Sequence, residues 1–447
     1  MAAEGKNENG DEVNIYKTPV QVTEGSTAET AIMQVLDYYY QEDYEYQSSY
    51  LSSIGKVASA DPNYWMFKVN GEEPHEGDTW YSIGDYPLKE HDKISLVYGD
   101  WQNLPSECSS YTNDTSIVPD ESAQAALLES AKKQQSVIAK KIYEATFQNG
   151  AYIPGITDTD SLYDVFSLAQ AGFAADDFYN KVASKVVSEL KVLANGGTVK
   201  SADGKSSYTL ASYEGNKYVI VNYAKIALVL SALGQDITAA GGIDLTKKLV
   251  DKKIFETASP TTLSRETMIL FAMDGTGAAW PSGDVVTRAE LINNIVNDID
   301  NEIGYGTDLS SPYGAALDPA PMSIQALAAY YKSAADTTGV DTSALQEKVN
   351  RVLTMLSVMQ DKSGGYVGTN GTPWTLAQVM TTAGLYGINP LTDTSVICSG
   401  KTFFDASTQF IDIENAIVDA SLMGYAPAQL LRGLNSCIRS VEKSAGL

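Results

Sequence analysis

Helix after helix in the second half of this chain stops on glycine. The segments "SLAQAGF", "VLSALGQD", "LFAMDGTG", "TTAGLYGINP" and "ASLMGYAP" are rich in small residues, and each closes on Gly. Glycine takes the left-handed turn that ends a helix without a Cβ penalty. Small residues on a helix face also let a neighbouring helix approach closely. From Asp120 onward the apolar pattern stays helical, with about a dozen helices that pair as outer and inner members at an irregular period of roughly 40–60 residues. This self-similarity predicts a helical repeat array. Its inner helices converge, closing an α/α toroid (an α6/α6 barrel) over residues 120–447 with a cavity at one end.

The first part of the chain has a different period. Residues 13–101 read as β-rich with one helix, so the fold class is α+β with two domains, the N-terminal one β-grasp-like. "VNIYKTPVQV" is extended, and "YLSSIGKV", "YWMFKVNG" and "KISLVYGDW" are strand-like. "GSTAETAIMQVLDYYYQ" carries a Ser26/Thr27 start signal, with Ala31, Val35 and Leu36 at helical spacing. In "DPNYWMFKVNGEEPHEGDTW" large apolar residues flank Asn70-Gly71, which predicts a β-hairpin with Trp65, Phe67 and Val69 on one face. That face either packs on a small core or covers a ligand. Residues 102–119, "QNLPSECSSYTNDTSIVP", have no periodicity and are read as the linker. The opening "MAAEGKNENGDEV" has no apolar core; it reads as a short polar leader and not as a signal peptide.

Charge and inventory exclude several functions. A formal net charge of −25 argues against nucleic acid and against anionic membrane surfaces. No stretch is long and apolar enough to span a bilayer. Cys108, Cys398 and Cys437 are far apart and form no CxxC pair, so at most one disulfide is expected. Few cysteines and many Tyr, Thr, Ser and Asn suit a secreted or cell-surface protein of a Gram-positive bacterium.

"YWMFKVNGEEPHEGDTWYSIGDYPLKEHDKISLVYG", with "VQVTEGSTAETAIMQVLD" before it, resembles the small β domain of the intrinsic factor and transcobalamin family. "YVIVNYAKIALVLSALGQDITAAGGIDLTKKLVD", "MSIQALAAYY" and "DKSGGYVGTNGTPWTLAQVMTTAGLYGINP" resemble helices of that family's toroid, a fold shared with prenyltransferases and terpene cyclases. The domain order is reversed relative to the animal carriers. The resemblance implies a protein that holds cobalamin or another corrinoid between the two domains, with no cofactor as an enzyme. It implies that the hairpin from Trp65 to Pro74, including Phe67, Val69, Asn70 and Gly71, covers one side of the ligand, joined by Tyr50, Leu51 and Ser52. In the toroid it implies Gln378 as a hydrogen-bonding partner of a corrin amide. Asp318, four residues before a methionine, looks like a family aspartate, although repeat order places Ser264 there. Tyr305, Tyr313, Tyr366 and Trp374 follow Gly-rich loops and would line the toroid mouth. The plain alternatives are core packing for Trp65 and Phe67, a solvated glutamine for Gln378, and ordinary loop aromatics.

Enzyme readings fail on inventory. A prenyltransferase needs a zinc site of Asp, Cys and His, and both histidines, His75 and His91, lie in the β half. "DTDS" at Asp158 lacks a cyclase's consecutive acids. "DDFYN" at Asp176 opens a helix, where carboxylates suit the dipole anyway. A glycoside hydrolase would need two carboxylates, with Asp318, Glu266, Asp361 and Glu414 as candidates. The second functional reading is therefore a surface adhesion module that binds glycan or protein, and the third is a toroid hydrolase. A surface transporter is a further expected partner of a corrinoid carrier. The tyrosine-rich run Asp37 to Tyr50 is a partner-facing patch or a solvated insert.

Overall fold

The computed structural model describes residues 1–15, 20, 22–41, 43–89, 92–111, 117–258, 262–303, 319–332, 337–366, 373–418 and 426–445. It contains a small N-terminal β-rich unit and a large C-terminal helical unit. Residues 112–116 fall outside the described residues, and the two units are taken separately.

The β unit is built on strands β1 (Ala2–Lys6), β2 (Glu12–Ile15), β6 (Asn63–Val69) and β9 (Ile94–Asp100) in the order β2-β1-β9-β6. β1 runs parallel to β9, and the outer pairs are antiparallel. Helix α1 (Ala28–Tyr40) supplies Ala28, Ala31, Ile32, Val35 and Leu36, a buried stripe at helical spacing. This stripe meets Ile15, Trp65 and Leu96 of the sheet in one core. A second sheet of β3 (Tyr44–Gln47), β4 (Tyr50–Ile54) and β5 (Val57–Ala58) adds Leu51, Ile54 and Val57 to that core. This arrangement is β-grasp-like.

Three expectations change here. The residues read as a polar leader contain β1, which pairs on both sides; Ala2 and Ala3 are small enough to be buried on its two faces. The stretch read as linker is partly structural. Cys108 and Tyr111 join Ala2 and Val97 in a second cluster, packed by Met66 and Leu104, and the Tyr111 hydroxyl donates to the Ile94 carbonyl at 3.1 Å. Lack of periodicity marks a strap here as well as a tether.

The third change concerns the hairpin. Asn70 and Gly71 do form the turn, with φ of 53° and 86°, and Val69 bridges Glu72. The chain then departs, and β6 pairs along its length with β9 instead, Trp65 opposite Tyr98 and Val69 opposite Ile94. The apolar run of β9 can be covered on both faces, and the acidic residues after Gly71 cannot. Residues after the turn form a separate two-residue ribbon of β7 (His75–Glu76) and β8 (Thr79–Trp80). The tyrosine-rich run is the end of α1 followed by β3 and the start of β4, with Tyr40, Tyr44 and Tyr46 against the core.

The helical unit runs α2 (Glu121–Ala145), α3 (Thr159–Gln170), α4 (Asp176–Ala194), α5 (Leu210–Glu214), α6 (Val219–Ala232), α7 (Leu245–Val250), α8 (Lys252–Thr257), α9 (Thr262–Thr276), α10 (Arg288–Ile303), α11 (Pro319–Gln325), α12 (Ala328–Tyr331), α13 (Thr342–Met359), α14 (Pro373–Tyr386), α15 (Phe403–Ser407) and α16 (Ala426–Ser444). One continuous apolar core serves all of it. Helix ends follow the glycine rule: Gly172, Gly234, Gly277 and Gly387 have φ of 66°, 73°, 64° and 70°. The glycine of "ASLMGYAP" lies outside the described residues.

Packing follows an order. α3 packs on α6, α6 on α9, α9 on α11, α11 on α14, α14 on α16, and α16 on α3. Hydrogen bonds join matching levels of neighbours: Thr159 to Asn222, Gln325 to Gln378, and the Ser436 hydroxyl to the Thr381 carbonyl. Along α14 and α16 the bonds Gln378–Gln429 and Thr381–Ser436 advance in the same direction, so these two helices run parallel and the chain must return between them. Other helices pack against this set: α2 on α16 and α3, α10 on α9 and α11, α13 on α11. α14 and α16 approach most closely at glycines. A Cβ on Gly384 would lie 2.4 Å from the Ser436 carbonyl carbon, and one on Gly433 2.9 Å from the Ala377 carbonyl oxygen. Among the described residues, no helix is long and apolar enough to cross a membrane.

Candidate functional site

The expected site residues of the β unit divide between core and surface. Trp65 is 4% exposed, donates its indole N–H to the Val57 carbonyl at 2.9 Å, and packs on Tyr98 with ring centres 5.3 Å apart. It fills the core, as do Leu51 and Val69. Phe67 packs against that core and meets Tyr86 edge-on. The Asn70 amide is committed at both ends: Nδ2 donates to Asp92 and Oδ1 accepts the Lys93 N–H, each at 2.9 Å. It ties the turn to β9. The Ser52 hydroxyl donates to Glu45. Of this group, Tyr50 and Asn70 are exposed, and Ser52, Phe67 and Gly71 are partly so. The aromatic that stands out is Trp80, 65% exposed, its ring tilted against that of His75 with centres 5.0 Å apart.

In the helical unit, Gln378 is half-buried on the second turn of α14. Its Nε2 donates to the Gln429 side-chain oxygen of α16 at 2.8 Å, and its Oε1 accepts from the Gln325 side chain of α11 at 3.0 Å. Three side-chain amides thus form a chain across three neighbouring helices. Gln325 also donates to Thr382, which fixes its orientation. Trp374 lies one turn before Gln378 on the same face of α14 and is 36% exposed. Tyr366 does not join them; it is buried with its hydroxyl on the Leu356 carbonyl. Asp318, Tyr305, Tyr313 and His91 lie outside the described residues, as does the side chain of Ser264.

The chain of amides continues into a charged cluster. Arg432, one turn after Gln429 on α16, donates to the Ser167 hydroxyl at 2.9 Å and lies 4.2 Å from the ring centre of Tyr163 on α3. Lys225 of α6 pairs with Asp160 of α3 and lies 5.7 Å from the same ring. Asp164, one turn beyond Asp160, is 9% exposed. Burial pushes its carboxyl up to about 7, opposed by Arg432 and assisted by Asp160 and Asp158. These groups occupy the first two turns of α3, α6, α11, α14 and α16. What they can do chemically is read amides and charges; the set supplies donors, acceptors and both signs.

The hydrolase candidates are dispersed. Glu266 is clamped by Arg265 at 2.7 Å, Asp361 holds Ser363, and Glu414 sits exposed on a β-turn. Asp158 caps α3 and accepts from Tyr152, and Asp176 sits exposed in the first turn of α4. Among the described residues, no group of three or more His, Cys, Asp and Glu is placed to hold a metal ion.

Sequence reasoning found Gln378 and missed its partners. A signal was present: "PAPMSIQ", "PWTLAQ" and "APAQ" each place a proline at a helix start and a glutamine within the next two turns. Asp164, Lys225 and Arg432 are single charges in apolar helices, and only the tertiary fold brings them together.

A family described as a domain of unknown function (DUF4430) matches residues 25–100. The match covers α1 through β9 and leaves out β1, β2 and the strap. No curated protein matches the chain.

Proposed function

We propose that this protein is an extracellular ligand-binding protein that captures cobalamin or another corrinoid. The observation that carries the reading is the amide chain Gln325–Gln378–Gln429, with Trp374 beside it. A corrinoid is a large flat ligand fringed with carboxamides. Side-chain amides that are already oriented by one another can each offer a donor or acceptor to such a fringe, and an aromatic gives it apolar area. The cyclic packing order of α3, α6, α9, α11, α14 and α16 supports a closed α/α toroid, with this site on its α11, α14 and α16 side. The transcobalamin-type β domain serves as the second surface in this reading, through Tyr50 and the Gly71 turn; Trp65, Phe67 and Val69 act by shaping it. No catalytic step is part of the reading. A surface location on a Gram-positive cell and a transporter that accepts the ligand go with it.

The second reading is adhesion to glycan or protein. Trp80 and Trp101, 65% and 57% exposed, favour it, because large exposed aromatics provide stacking surface. A visible-absorbance titration of the full chain with cyanocobalamin separates the two. Saturating spectral change at one ligand per chain supports the carrier. No change at large excess sinks it and leaves adhesion.

A further inference from the structure

A cavity of about 350 Å³ lies between α13, α14 and the loop that follows α14. On α13, Asn350, Leu353, Thr354 and Ser357 recur at the spacing of one helix face, and Val379, Thr382 and Ala383 do the same on α14. The side chains of Ser357, Thr382 and Ala383 are short, which leaves the space unfilled. Its floor is aliphatic, made by Leu353, Leu356, Val379, Ala383, Ile388 and Val396. Its rim is polar, and Asn350, Thr354 and Ser395 there are exposed, so the cavity opens to solvent. Among the described residues that line it, Asp393 alone carries a charge and none is aromatic. Asp393 Oδ1 accepts the Ser395 backbone N–H at 3.0 Å and the Ser395 hydroxyl at 2.7 Å. These bonds fix the carboxylate at the start of the turn Thr394–Val396 and leave Oδ2 without a bond among the described residues. The Thr382 hydroxyl, by contrast, is committed to the Gln325 side chain and the Pro321 carbonyl. Gln378, Gln429 and Trp374 do not line this space.

We propose that this cavity is a second binding site, and that it takes a small aliphatic primary amine, with the carbon chain on the floor and the ammonium at Asp393. The volume sits at the small end of ligand clefts, which run from about 300 to about 1,000 Å³, so it suits a small molecule and not a corrinoid. Water over an aliphatic floor has few partners, and an apolar group that displaces it gains affinity. A single carboxylate on the rim selects a cation by charge. An ammonium has N–H donors in three directions. Asp393 Oδ2 takes one of them. The Ser395 hydroxyl gives its own proton to Asp393, so its oxygen is left to accept, and Thr354 and Ser357 add hydroxyl oxygens on the α13 side. An anion would meet Asp393 with no lining cation to offset it, a neutral alcohol would leave Oδ2 unanswered, and an aromatic cation would find no ring to stack on. The site is independent of the corrinoid reading, because it uses none of the amide chain.

The test is a methyl NMR titration of the full chain, labelled at Ile, Leu and Val, with n-hexylammonium, n-hexanol, hexanoate and methylammonium. Salt at about 0.15 M screens the general attraction of an acidic chain for cations. Hexylammonium should shift the methyls of Leu353, Ile388 and Val396 along saturable curves. Shortening the chain should weaken binding about threefold to fourfold per methylene removed, the worth of a buried CH₂. Hexanol and hexanoate should bind about tenfold more weakly or worse, since a hydrogen bond to a charged group is lost or reversed, and methylammonium should not saturate. Asp393→Asn keeps a side chain that caps the turn equally well, and it should bring hexylammonium down to the affinity of hexanol. The ligand series on the unaltered protein decides the matter even where that variant fails to fold. Methyls that stay still or shift without saturating overturn the site. Hexanol or hexanoate binding as tightly as hexylammonium overturns the amine assignment, as does undiminished hexylammonium affinity in a folded Asp393→Asn protein. Each of these results leaves the corrinoid reading where the cyanocobalamin titration puts it.

Discussion

Replacing Trp65 by alanine should unfold the β unit and leave the helical unit intact. The indole is almost wholly enclosed by the core under α1, with Tyr98 against its face and the Val57 carbonyl on its N–H. Removing a buried large aromatic costs about 3–5 kcal/mol. Leaving the Val57 carbonyl without its donor adds on the order of 1–3 kcal/mol. A domain of this size is stable by roughly 5–15 kcal/mol, so the loss is a large fraction of the total. Each kcal/mol moves the midpoint by about 4–8 °C in a domain of 60–100 residues, so the β-unit transition should fall by well over about 10 °C. Calorimetry of the full chain reads this, with far-UV circular dichroism reporting the helices. Trp65→Phe should recover most of the loss, because it restores area and omits the hydrogen bond. A Trp65→Ala protein whose β transition moves by only a few degrees, yet whose ligand affinity collapses, would refute the core assignment and return the residue to the ligand surface.

Further outcomes follow from other contacts. Gly384→Val should destabilise the helical unit by about 1–3 kcal/mol or more, read from urea midpoints, because its side chain would strike the Ser436 backbone. Cys108, Cys398 and Cys437 are all buried and none is in a disulfide, and burial pushes the Cys108 thiol up to about 12 and that of Cys437 up strongly; a thiol-titrating disulfide reagent should label none of them until urea is added. Asp164 holds its proton more tightly folded than unfolded, so its contribution makes stability fall as pH rises from about 4 to about 7, and Asp164→Asn should flatten that part of the curve of melting temperature against pH. A fragment of residues 1–111 should melt higher than one of residues 1–101, because the shorter piece exposes Val97 and Met66 and loses the Tyr111 hydrogen bond.

Periodicity was legible where one face of an element meets one core. The stripe Ala31, Val35, Leu36 and the glycine stops at Gly172, Gly234, Gly277 and Gly387 are local patterns, and the structure carries them. Strand pairing is not local. Asn70-Gly71 makes its turn, but β6 finds the apolar β9 residues twenty-odd positions on, because neighbouring acidic residues offer no face to bury. The strand at Ala2–Lys6 was hidden by its small residues: Ala2, Ala3 and Gly5 look polar-tolerant in sequence, yet Gly5 is needed because a Cβ there would lie 2.4 Å from that of Tyr98. The candidate site was half visible. Gln378 stood out through a family resemblance, whereas Gln325 and Gln429 needed the packing of α11 and α16 on α14 to become its partners.

The central claim is that the amide chain and Trp374 face a corrinoid. Trp374 is partly exposed, so Trp374→Ala should leave the melting temperature within a degree or two and remove contact area from the ligand. Calorimetric titration of the full chain with cyanocobalamin, unaltered and Trp374→Ala, measures this directly. The account predicts one site per chain and an affinity weakened about tenfold or more in the variant, since a lost aromatic contact of this kind is worth about 1–3 kcal/mol. Heat flow indistinguishable from dilution in the unaltered protein, or equal affinities for the two proteins, would contradict it.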